Sequence, residues 1–512
     1  MAYDFAHGSG TKSDPYLIAT EADFWGIFDY GTEEGDYNFI GKHYKQTADL
    51  TLTEYDAVVG MTFIKCFYDG NGKTISGLMS GFNSFASSKW ENSTFINTDT
   101  NIIFDNMNAY MGGAIPEIRN IKLLDSPGTF VFVSYIGIID NIEVKNSGGF
   151  SNTSISDSRI SNCYGENLQS SGNGTYAGAF ADCYRCTFEN IIIKNITLIP
   201  TAGISGGFVA TPYGCEFIDC IVLGASIKGK GTAGGFTGDV YGGSFLRCYT
   251  LGFSIEQEDN RRGGGFTSFA SAYNAEPASF EKCIAHGEII IESEYGYGKV
   301  GGFVGESYGA IYKECGADVS VENDGKFVAG FVGFVSSSEA IFQNCYALGD
   351  SVSKDDTAKS NGGFVGEAYD VLFENCFSKG LVSGGMNKGG FCGYEIGSNT
   401  FTNCYYDSET SAQSDSGSGE PKTTAEMKTQ STFSSWNFLS VWKLGAFAGG
   451  NRKSITGENG EYNLPVKDGS IDVFLELDPS GGYPFLQFET KKRITKSGRT
   501  KCDWYVRGRM PE

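Results

Sequence analysis

A glycine-aromatic motif recurs along most of this chain, and it constrains the fold more than any other feature of the sequence. The clearest copy is Gly362-Gly-Phe-Val-Gly366, and the Cys of a second motif, Phe373-Glu-Asn-Cys376, lies twelve residues after the Phe of the first. Successive copies stand 27 to 37 residues apart. A period of roughly 20–50 residues is typical of solenoids and other repeat architectures.

The residues within each copy favour β-strands stacked into a parallel β-helix. Short runs of Val, Ile, Phe and Tyr alternate with glycine and polar turns, and such residues suit a pleated, half-buried surface. No copy shows an apolar stripe at helical spacing, and a propeller blade needs about 40–45 residues. We therefore predict an all-β protein, a parallel β-helix (β-solenoid) of about 10–13 coils with small N- and C-terminal caps.

Stacked coils should place equivalent residues in columns, because adjacent strands lie about 4.8 Å apart. Ile fills the Cys slot in the earlier Ile118-Arg-Asn-Ile121, so we predict that the thiols serve packing rather than disulfide formation. We expect the motif glycines to supply positive φ at the coil corners. The predicted structural core columns are Phe208, Phe236, Phe303, Phe331, Phe364 and Phe391, with Cys220, Cys248, Cys283, Cys315, Cys345, Cys376 and Cys404.

The repeat resembles the GLUG-motif repeats of bacterial and phage surface proteins. Asp69-Gly-Asn-Gly-Lys-Thr-Ile75 looks like the first-coil turn of such proteins. The resemblance implies a β-helix and a place among adhesins, secreted proteins and virion proteins, and it supplies no catalytic residue. The matching segments are Gly206-Gly-Phe-Val209, Gly234-Gly-Phe-Thr-Gly238, Gly301-Gly-Phe-Val-Gly305, Gly330-Phe-Val-Gly333, Gly362-Gly-Phe-Val-Gly366 and Gly389-Gly-Phe-Cys-Gly393.

The chain divides into four regions. Thr20 and Asp23 stand near capping-box spacing, which predicts a short helix over the open end of the first coil. The long step from Phe266 to Phe303 implies a lateral loop, the kind of element that often carries a binding surface on solenoids. The predicted regions are an N-terminal cap at 1–58, the β-helix at 59–410, a C-terminal cap region with a mobile loop at 411–490, and a basic tail at 491–512.

Charge is distributed unevenly along the chain. The net charge is -22, and residues 491–512 carry +6, which leaves -28 on residues 1–490. Such an acidic body disfavours nucleic acid and anionic membrane as partners. The tail is either a solvated end or a dock for an acidic partner or subunit. The docking candidates are Lys491, Lys492, Arg493, Arg507 and Arg509.

The sequence predicts neither a metal site nor a cofactor. His7, His43 and His286 are scattered, and Cys183-x-x-Cys186 has no second pair to complete a zinc site. No apolar run reaches the length of about 18 residues that a membrane helix needs. The N-terminus, Met-Ala-Tyr-Asp-Phe-Ala-His, lacks the basic and apolar segments of a secretory signal. We therefore expect no membrane association, and a chain that either stays inside the cell or leaves it by another route, as a virion component assembled in the host cytoplasm and released by lysis would.

Catalytic residues cannot be assigned from the sequence. Asp239, Glu306 and Glu367 follow the glycine motif at the same position, and stacked acids of this kind are predicted to form a solvated face. A glycan hydrolase would need two carboxylates about 5–10 Å apart on one face. Among the aromatic residues near the C-terminus, Trp436 and Trp442 are predicted to belong to a cap, with a ligand platform as the alternative.

The expected function is structural and adhesive. The resemblance and the N-terminus together suggest a tailed-phage virion component, such as a tail fibre, tailspike or head fibre, that presents lateral loops to a host glycan or protein. By analogy it would form a trimer and contact other virion proteins. The alternatives are a polysaccharide-depolymerising tailspike and a bacterial cell-surface adhesin. A groove with converging carboxylates and aromatic residues would favour the depolymerase.

Overall fold

The computed structural model confirms the parallel β-helix. It describes residues 4–28, 40–53, 61–78, 82–98, 102–104, 107–108, 113–131, 135–151, 154–170, 176–258, 261–292, 298–354, 359–414, 418–444, 466–467, 470–476, 482–496 and 504–508.

The longest sheet runs through 28 strands and receives at least one strand from every coil. Its pairings are parallel, and from residue 159 onward each coil contributes strands on both sides of a kink. The strands are Tyr16–Ile18, His43–Gln46, Leu50–Thr51, Phe67–Ser76, Lys89–Ile96, Glu117–Leu124, Ile138–Lys145, Arg159–Ser161, Tyr164–Ser170, Thr187–Glu189, Ile192–Leu198, Glu216–Ile218, Ile221–Lys230, Ser244–Leu246, Tyr249–Glu258, Ser279–Glu281, Ile284–Glu292, Ile311–Lys313, Gly316–Asn323, Ile341–Gln343, Tyr346–Ala347, Ser351–Ser353, Leu372–Glu374, Phe377–Ser378, Val382–Ser383, Thr400–Thr402, Tyr405–Asp407 and Glu420–Lys422.

Two narrower parallel sheets complete the later coils. The eight-stranded sheet contains Tyr176–Ala177, Ile204–Gly206, Thr232–Gly234, Arg262–Gly264, Lys299–Gly301, Phe327–Ala329, Ser360–Gly362 and Asn387–Gly389. The nine-stranded sheet contains Ile155–Ser156, Phe180–Tyr184, Val209–Tyr213, Thr237–Tyr241, Thr267–Ser271, Val304–Tyr308, Val332–Ser336, Val365–Tyr369 and Cys392–Ile396.

The remaining elements lie toward the two ends of the chain. The early coils have a four-stranded parallel sheet of Met61–Ile64, Phe82–Ala86, Ile102–Phe104 and Thr129–Val131. The C-terminal part has the antiparallel pair Trp442–Lys443 and Phe485–Leu486, and a sheet of Val466–Lys467, Ser470–Glu476, Thr490–Lys496 and Trp504–Gly508. The α-helices are Glu21–Gly26 and Thr424–Met427, and the 3-10 helices are Gln430–Phe433 and Gln487–Glu489.

The long sheet has more rungs than the motif indicates. Its first two rungs, at Tyr16 and Tyr44, lie in the region expected to be a cap. The first four rungs carry Tyr or Trp at this position, without the glycine motif, so the motif does not reveal them. The in-register column consists of fifteen residues: Tyr16, Tyr44, Tyr68, Trp90, Ile118, Ile139, Ile160, Phe188, Phe217, Phe245, Phe280, Tyr312, Phe342, Phe373 and Phe401.

The Phe residues of the glycine motif form a second aromatic column inside the helix. Phe208 to Phe391 are fully buried, and their rings stack at centroid distances of 4.7–5.0 Å. Each ring also meets the first column edge to face, as Phe303 meets Tyr312 at 5.9 Å. Offset-stacked and edge-to-face pairs are the favoured aromatic arrangements. The two columns therefore hold successive coils in register.

The thirteen cysteines of the described residues are buried and free of disulfides. In the column from Cys220 to Cys404 each thiol lies near backbone carbonyls. Cys220 Sγ, for example, is 3.4 Å from the Ile218 oxygen and 3.6 Å from the Phe188 oxygen. Burial raises the pKa of the Cys220 and Cys248 thiols well above the usual value. Cys220 and Cys248 consequently behave as small core residues rather than as nucleophiles.

The expectation that motif glycines supply positive φ is wrong for the copies between Gly206 and Gly393. None of these described motif glycines has a positive φ, although Gly149 in the earliest copy does. Close backbone approach is the reason for glycine instead. A Cβ on Gly305 would lie 2.7 Å from the Lys299 carbonyl oxygen and 2.8 Å from the Gly263 oxygen, on neighbouring strands.

Residues at the kink within the long sheet have positive φ angles, and many of them are asparagine. Asn190 has φ of 59°, and its Nδ2 donates to Asn162 Oδ1 at 2.8 Å one rung away. The same side-chain ladder links Asn120 to Asn92 and Asn403 to Asn375. Asparagine tolerates the left-handed region better than most residues because its short polar side chain can bond locally.

Two substitutions of Asn190 separate the contribution of its side-chain hydrogen bond from that of its backbone conformation. We expect Asn190→Ala to lower the free energy of unfolding by about 2 kcal/mol, since it loses a hydrogen bond and strains the backbone. Asn190→Gly keeps the conformation and should cost about half as much. Chemical denaturation of both variants tests this. Equal losses in the two variants would show that the backbone angle contributes nothing.

The helix expected near the N-terminus forms over Glu21–Gly26. Thr20 and Asp23 make the capping box, with Asp23 N donating to Thr20 Oγ1 at 3.1 Å. Phe24 and Ile27 from this segment are buried in the main core. The helix therefore adds apolar side chains to the first rungs.

The C-terminal aromatic segment folds back along the flank of the last coils. Trp442 Nε1 donates to Asn344 Oδ1 at 3.1 Å, and Trp436 Nε1 donates to the Asn403 carbonyl at 3.2 Å. Both tryptophans are buried, at 0% and 5% exposure, in a cluster that includes Phe377. They pack against the helix, so the alternative of an exposed aromatic platform is wrong for these two residues.

Candidate functional site

The eight- and nine-stranded sheets meet at a concave corner. In each coil a strand of the first is followed, after a turn of two residues, by a strand of the second. The contact at Gly305 described above shows how closely the two backbones approach. Side chains from the two strands meet across this corner, as Lys299 and Glu306 do in an ion pair. We call the line of facing outer side chains the corner groove.

The corner groove contains one facing pair per coil over eight coils. In seven coils the partners stand seven residues apart, and in the first they stand six apart. The first residue of each pair opens a strand of the eight-stranded sheet, and the second occupies one register column of the nine-stranded sheet. The pairs are Tyr176 and Asp182, Ile204 and Thr211, Thr232 and Asp239, Arg262 and Phe269, Lys299 and Glu306, Phe327 and Phe334, Ser360 and Glu367, and Asn387 and Tyr394.

The acids of this column are buried, so the expectation of a solvated face is wrong. Asp182, Asp239, Glu306 and Glu367 are between 3% and 6% exposed. The concave corner encloses them between two strands, an arrangement that strand alternation alone does not reveal. Buried carboxylates need charge partners or hydrogen bonds to offset lost hydration.

Three of the four acids have cationic partners. Arg262 bridges two rungs, with Nη1 at 3.3 Å from Asp239 Oδ2 and Nε at 3.0 Å from Glu306 Oε2. Lys299 pairs with Glu306, and Lys359 Nζ lies 2.7 Å from Glu367 Oε2. Burial raises the pKa of Asp239 even though Arg262 and Ser268 oppose the shift.

Aromatic rings separate the acids along the groove and cover the cations. The Arg262 guanidinium lies 4.5 Å from the centroid of Phe269, and Lys299 Nζ lies 4.6 Å from that of Phe334. Such contacts contribute about 0.5–2 kcal/mol each. The groove thus alternates charged and aromatic groups from rung to rung.

A tyrosine ladder borders the groove at its N-terminal end. Tyr184, Tyr213 and Tyr241 stack at 4.6 and 4.9 Å with interplanar angles of 2° and 6°. The lateral loop predicted after Phe266 includes residues 272–278, and it folds back so that Tyr273 meets Tyr213 edge to face at 5.8 Å. The loop therefore adds a side chain to coils that precede it in the sequence.

Asp182 differs from the other groove acids. It is 6% exposed, and none of the described residues forms an ion pair with it. Its Oδ1 is buried, as are the hydroxyl oxygens of Thr211 and Thr232. Burial raises the pKa of Asp182 to about 6, and the neighbouring Thr211 offsets only part of this shift. Asp182 is therefore the one groove acid of the four without a cationic partner among the described residues.

The basic docking candidates lie in the C-terminal antiparallel sheet or beyond it. Lys491, Lys492 and Arg493 belong to Thr490–Lys496, and Arg493 is in register with Arg507 of Trp504–Gly508. The register brings basic residues onto neighbouring strands of one sheet. Arg509 lies outside the described residues.

No metal centre is present among the residues that the structure describes. No group of three His, Cys, Asp or Glu side chains there could hold an ion. Cys183 and Cys186 are both buried, and His286 lies 3.7 Å from Asp318 on the long sheet, away from the groove. Within the described ranges, no helix has the length and hydropathy to span a membrane.

The groove residues carry a signal that sequence analysis could have used. Lys299 and Glu306 flank one glycine motif at a separation of seven, and the same spacing recurs in neighbouring coils. Their position after the glycine motif identifies Glu306 and Glu367, but it does not identify their partners on the preceding strand. The sequence carries no signal for the missing cationic partner of Asp182, because the partners of an acid depend on the completed corner.

Comparisons with known proteins add little to this description. No protein-family model matches the chain. Over 117 residues it is 35% identical to "Putative Gly-rich membrane protein" of Evansella cellulosilytica, a match that covers 22% of this chain and 13% of that protein. A crystal structure described as "a putative immunoglobulin A1 protease from Bacteroides ovatus" aligns over 86% of this chain and 93% of its own, with 14% identity and a TM-score of 0.21.

Proposed function

We propose that the protein is an adhesive β-helix that binds an extended glycan along the corner groove. The observation that carries the proposal is the repetition, on successive coils about 4.8 Å apart, of a facing pair with at least one polar or aromatic member. A polymer with a regular repeat can meet equivalent groups at each step. Carboxylates and hydroxyls accept hydrogen bonds from sugar hydroxyls, and aromatic rings cover apolar sugar faces.

The name of one partial relative bears on where the protein acts. The name of the partial relative includes the word membrane, which supports the cell-surface adhesin over the virion component. The virion appendage, its trimeric state, its virion partners and its GLUG-type repeat stay predictions of the sequence. Both locations would use the same groove.

The proposal is tested with the purified full chain on glycan arrays and intact polysaccharides. Tyr308 and Tyr369 are exposed aromatic residues on the nine-stranded sheet, at 39% and 42%. We expect Tyr308→Ala combined with Tyr369→Ala to lower glycan affinity about tenfold or more. Phe67→Ala is a matched control, because Phe67 is also 39% exposed but lies on the long sheet.

Two outcomes of these binding experiments would contradict the proposal. Absence of glycan binding, or capture of protein ligands alone, would overturn the proposal. Tyr308 and Tyr369 lie two residues beyond Glu306 and Glu367 on the same strands, at the border of the groove. Equal losses in the Tyr308 and Tyr369 variant and in Phe67→Ala would show that this face is not the binding surface. Circular dichroism of each variant establishes that it retains the fold.

A depolymerase is the second candidate, because the groove contains both carboxylates and aromatic residues. Asp182 and Asp239 are two rungs apart, about 9.6 Å between backbones, near the upper limit for an inverting hydrolase. Thr211 occupies the rung between them and is fully buried. The carboxylates are arranged in a line rather than around one bond, so the geometry favours retention of a glycan. Release of new reducing ends from bound polysaccharide would favour the enzyme instead.

A further inference from the structure

We propose that the exposed aromatic residues along the corner groove bind a neutral, linear polysaccharide whose structure repeats every two sugar units. This inference rests on the proposed function and specifies the ligand class of that same surface. The rings are open to solvent, since Tyr308, Tyr369 and Tyr394 are 39%, 42% and 42% exposed. A polysaccharide can therefore lie along them on the surface, with its apolar sugar faces against the rings.

Each of six successive rungs of the nine-stranded sheet carries one aromatic side chain at either of two outward positions. The first position is in register with Glu306, and the second lies two residues further along the strand, in register with Tyr308. The ring alternates strictly between these two positions from one rung to the next. We call these six residues the aromatic stripe: Tyr241, Phe269, Tyr308, Phe334, Tyr369 and Tyr394.

The residue that shares each rung with the ring alternates as well. Beside Tyr308 stands Glu306, whose Oε1 accepts a hydrogen bond from the Tyr308 hydroxyl at 2.8 Å. Beside Phe269 and Phe334 stand Ser271 and Ser336, which are too small to cover the rings. A carboxylate with a tyrosine therefore recurs at every second rung, about 9.6 Å apart.

Contacts between neighbouring rings fix the stripe before any ligand arrives. The Tyr308 centroid lies 5.9 Å from that of Phe269 and 6.1 Å from that of Phe334, and Tyr241 lies 5.5 Å from Phe269. Lys359 Nζ lies 5.7 Å from the centroid of the Tyr394 ring. Side chains that are already ordered lower the entropic cost of binding.

The two-rung period matches an extended polysaccharide chain with two-fold symmetry. In such a chain, of which cellulose is an example, each sugar advances by about the width of one rung and is turned by half a revolution relative to the sugar before it. Equivalent groups then recur at every second sugar and alternate between the two sides of the chain. The stripe alternates between two sides with the same period, so each ring can meet one sugar in an equivalent way.

Charge pairing along the stripe favours a neutral polymer. The ion pairs join Asp239 to Arg262, Glu306 to Lys299 and Glu367 to Lys359. A charged sugar would have to displace one member of such a pair to gain a partner of its own, and separating a buried ion pair is costly. Hydroxyl groups carry no such requirement, because they exchange hydrogen bonds with the outer edges of these groups.

Calorimetry on the purified full chain tests the ligand class. It compares cellohexaose with maltohexaose, which contain the same sugar in an extended and in a helical chain. We expect cellohexaose to bind about tenfold more tightly, and we expect a matched oligosaccharide that contains uronic acids to bind more weakly than the neutral one.

A rearranged variant tests the spacing of the rings. Tyr308→Ser combined with Ser336→Tyr keeps the number of tyrosines on the sheet but moves one of them by a rung. We expect it to lose about fivefold in affinity for cellohexaose, as much as Tyr308→Ala alone. Circular dichroism establishes that each variant retains the fold.

The outcomes separate this inference from the proposed function. If the rearranged variant binds cellohexaose as tightly as the unaltered chain while the Tyr308 and Tyr369 variant loses binding, the two-rung period is overturned and the glycan-binding groove stands. Equal affinity for cellohexaose and maltohexaose, tighter binding of the uronic acid series, or array binding confined to glycans without an extended two-fold chain would likewise overturn the inference alone. If neither oligosaccharide binds and arrays show no glycan, the proposed function itself fails.

Discussion

Replacing Phe303 with alanine is expected to lower the free energy of unfolding by about 3–5 kcal/mol. Phe303 is fully buried and stacks on Phe266 at 4.9 Å and Phe331 at 4.8 Å. It also meets Phe280 and Tyr312 edge to face at 5.8 and 5.9 Å. The substitution removes contacts to three successive coils and leaves a cavity that the rigid columns cannot close.

Urea denaturation followed by circular dichroism measures this effect. Tyr308→Ala is a suitable control, since Tyr308 lies on the same coil but is 39% exposed, and we expect a loss below about 1 kcal/mol. Because solenoids unfold partly coil by coil, the comparison should use transition midpoints as well as extrapolated free energies. A Phe303→Ala shift no larger than that of Tyr308→Ala would refute the role of the column.

Replacing Gly362 with alanine should destabilise the protein by about 3 kcal/mol, the second-largest expected effect. A Cβ at this position would lie 1.9 Å from the Val365 carbonyl oxygen and 2.9 Å from the Gly393 nitrogen. Both atoms belong to the backbone, so the clash can be relieved only by moving strands at the corner. The φ angle of Gly362 is not positive, so conformational freedom does not explain the glycine.

Gly72→Ala provides the opposite case. Gly72 has φ of 72°, and a Cβ there would meet nothing within 4 Å. We expect a loss of about 1 kcal/mol from backbone strain alone. Thermal denaturation of the two variants compares steric conflict with backbone strain. A larger loss for Gly72→Ala would show that close approach at the corner is not the constraint on the motif.

The periodic features of the fold could be predicted from the sequence, because stacking repeats the same environment in each coil. The columns that contain Phe303 and Cys315 follow directly from that period. The first rungs could not be recognised, since Tyr16 and Trp90 fill the aromatic position without the glycine motif. An internal position selects for size and apolarity rather than for one residue type.

The candidate site was less predictable than the core. Burial of Glu306 depends on the concave corner, which results from backbone contacts at Gly305 and not from any property of the acid itself. The long step after Phe266 predicts the lateral loop, but it does not predict that the loop folds toward earlier coils. Placement of Tyr273 over earlier coils depends on packing against Tyr213.

Labelling of the buried thiols can report the order in which the coils unfold. From Cys283 to Cys376 each coil carries a single thiol at the same position of the column, the last coil carries Cys392 as well as Cys404, and all of these thiols are buried in the folded chain. A thiol reagent would reach a given cysteine only when its coil separates from its neighbours. Mass spectrometry of the labelled peptides would therefore show in which order the coils come apart, without any engineered probe.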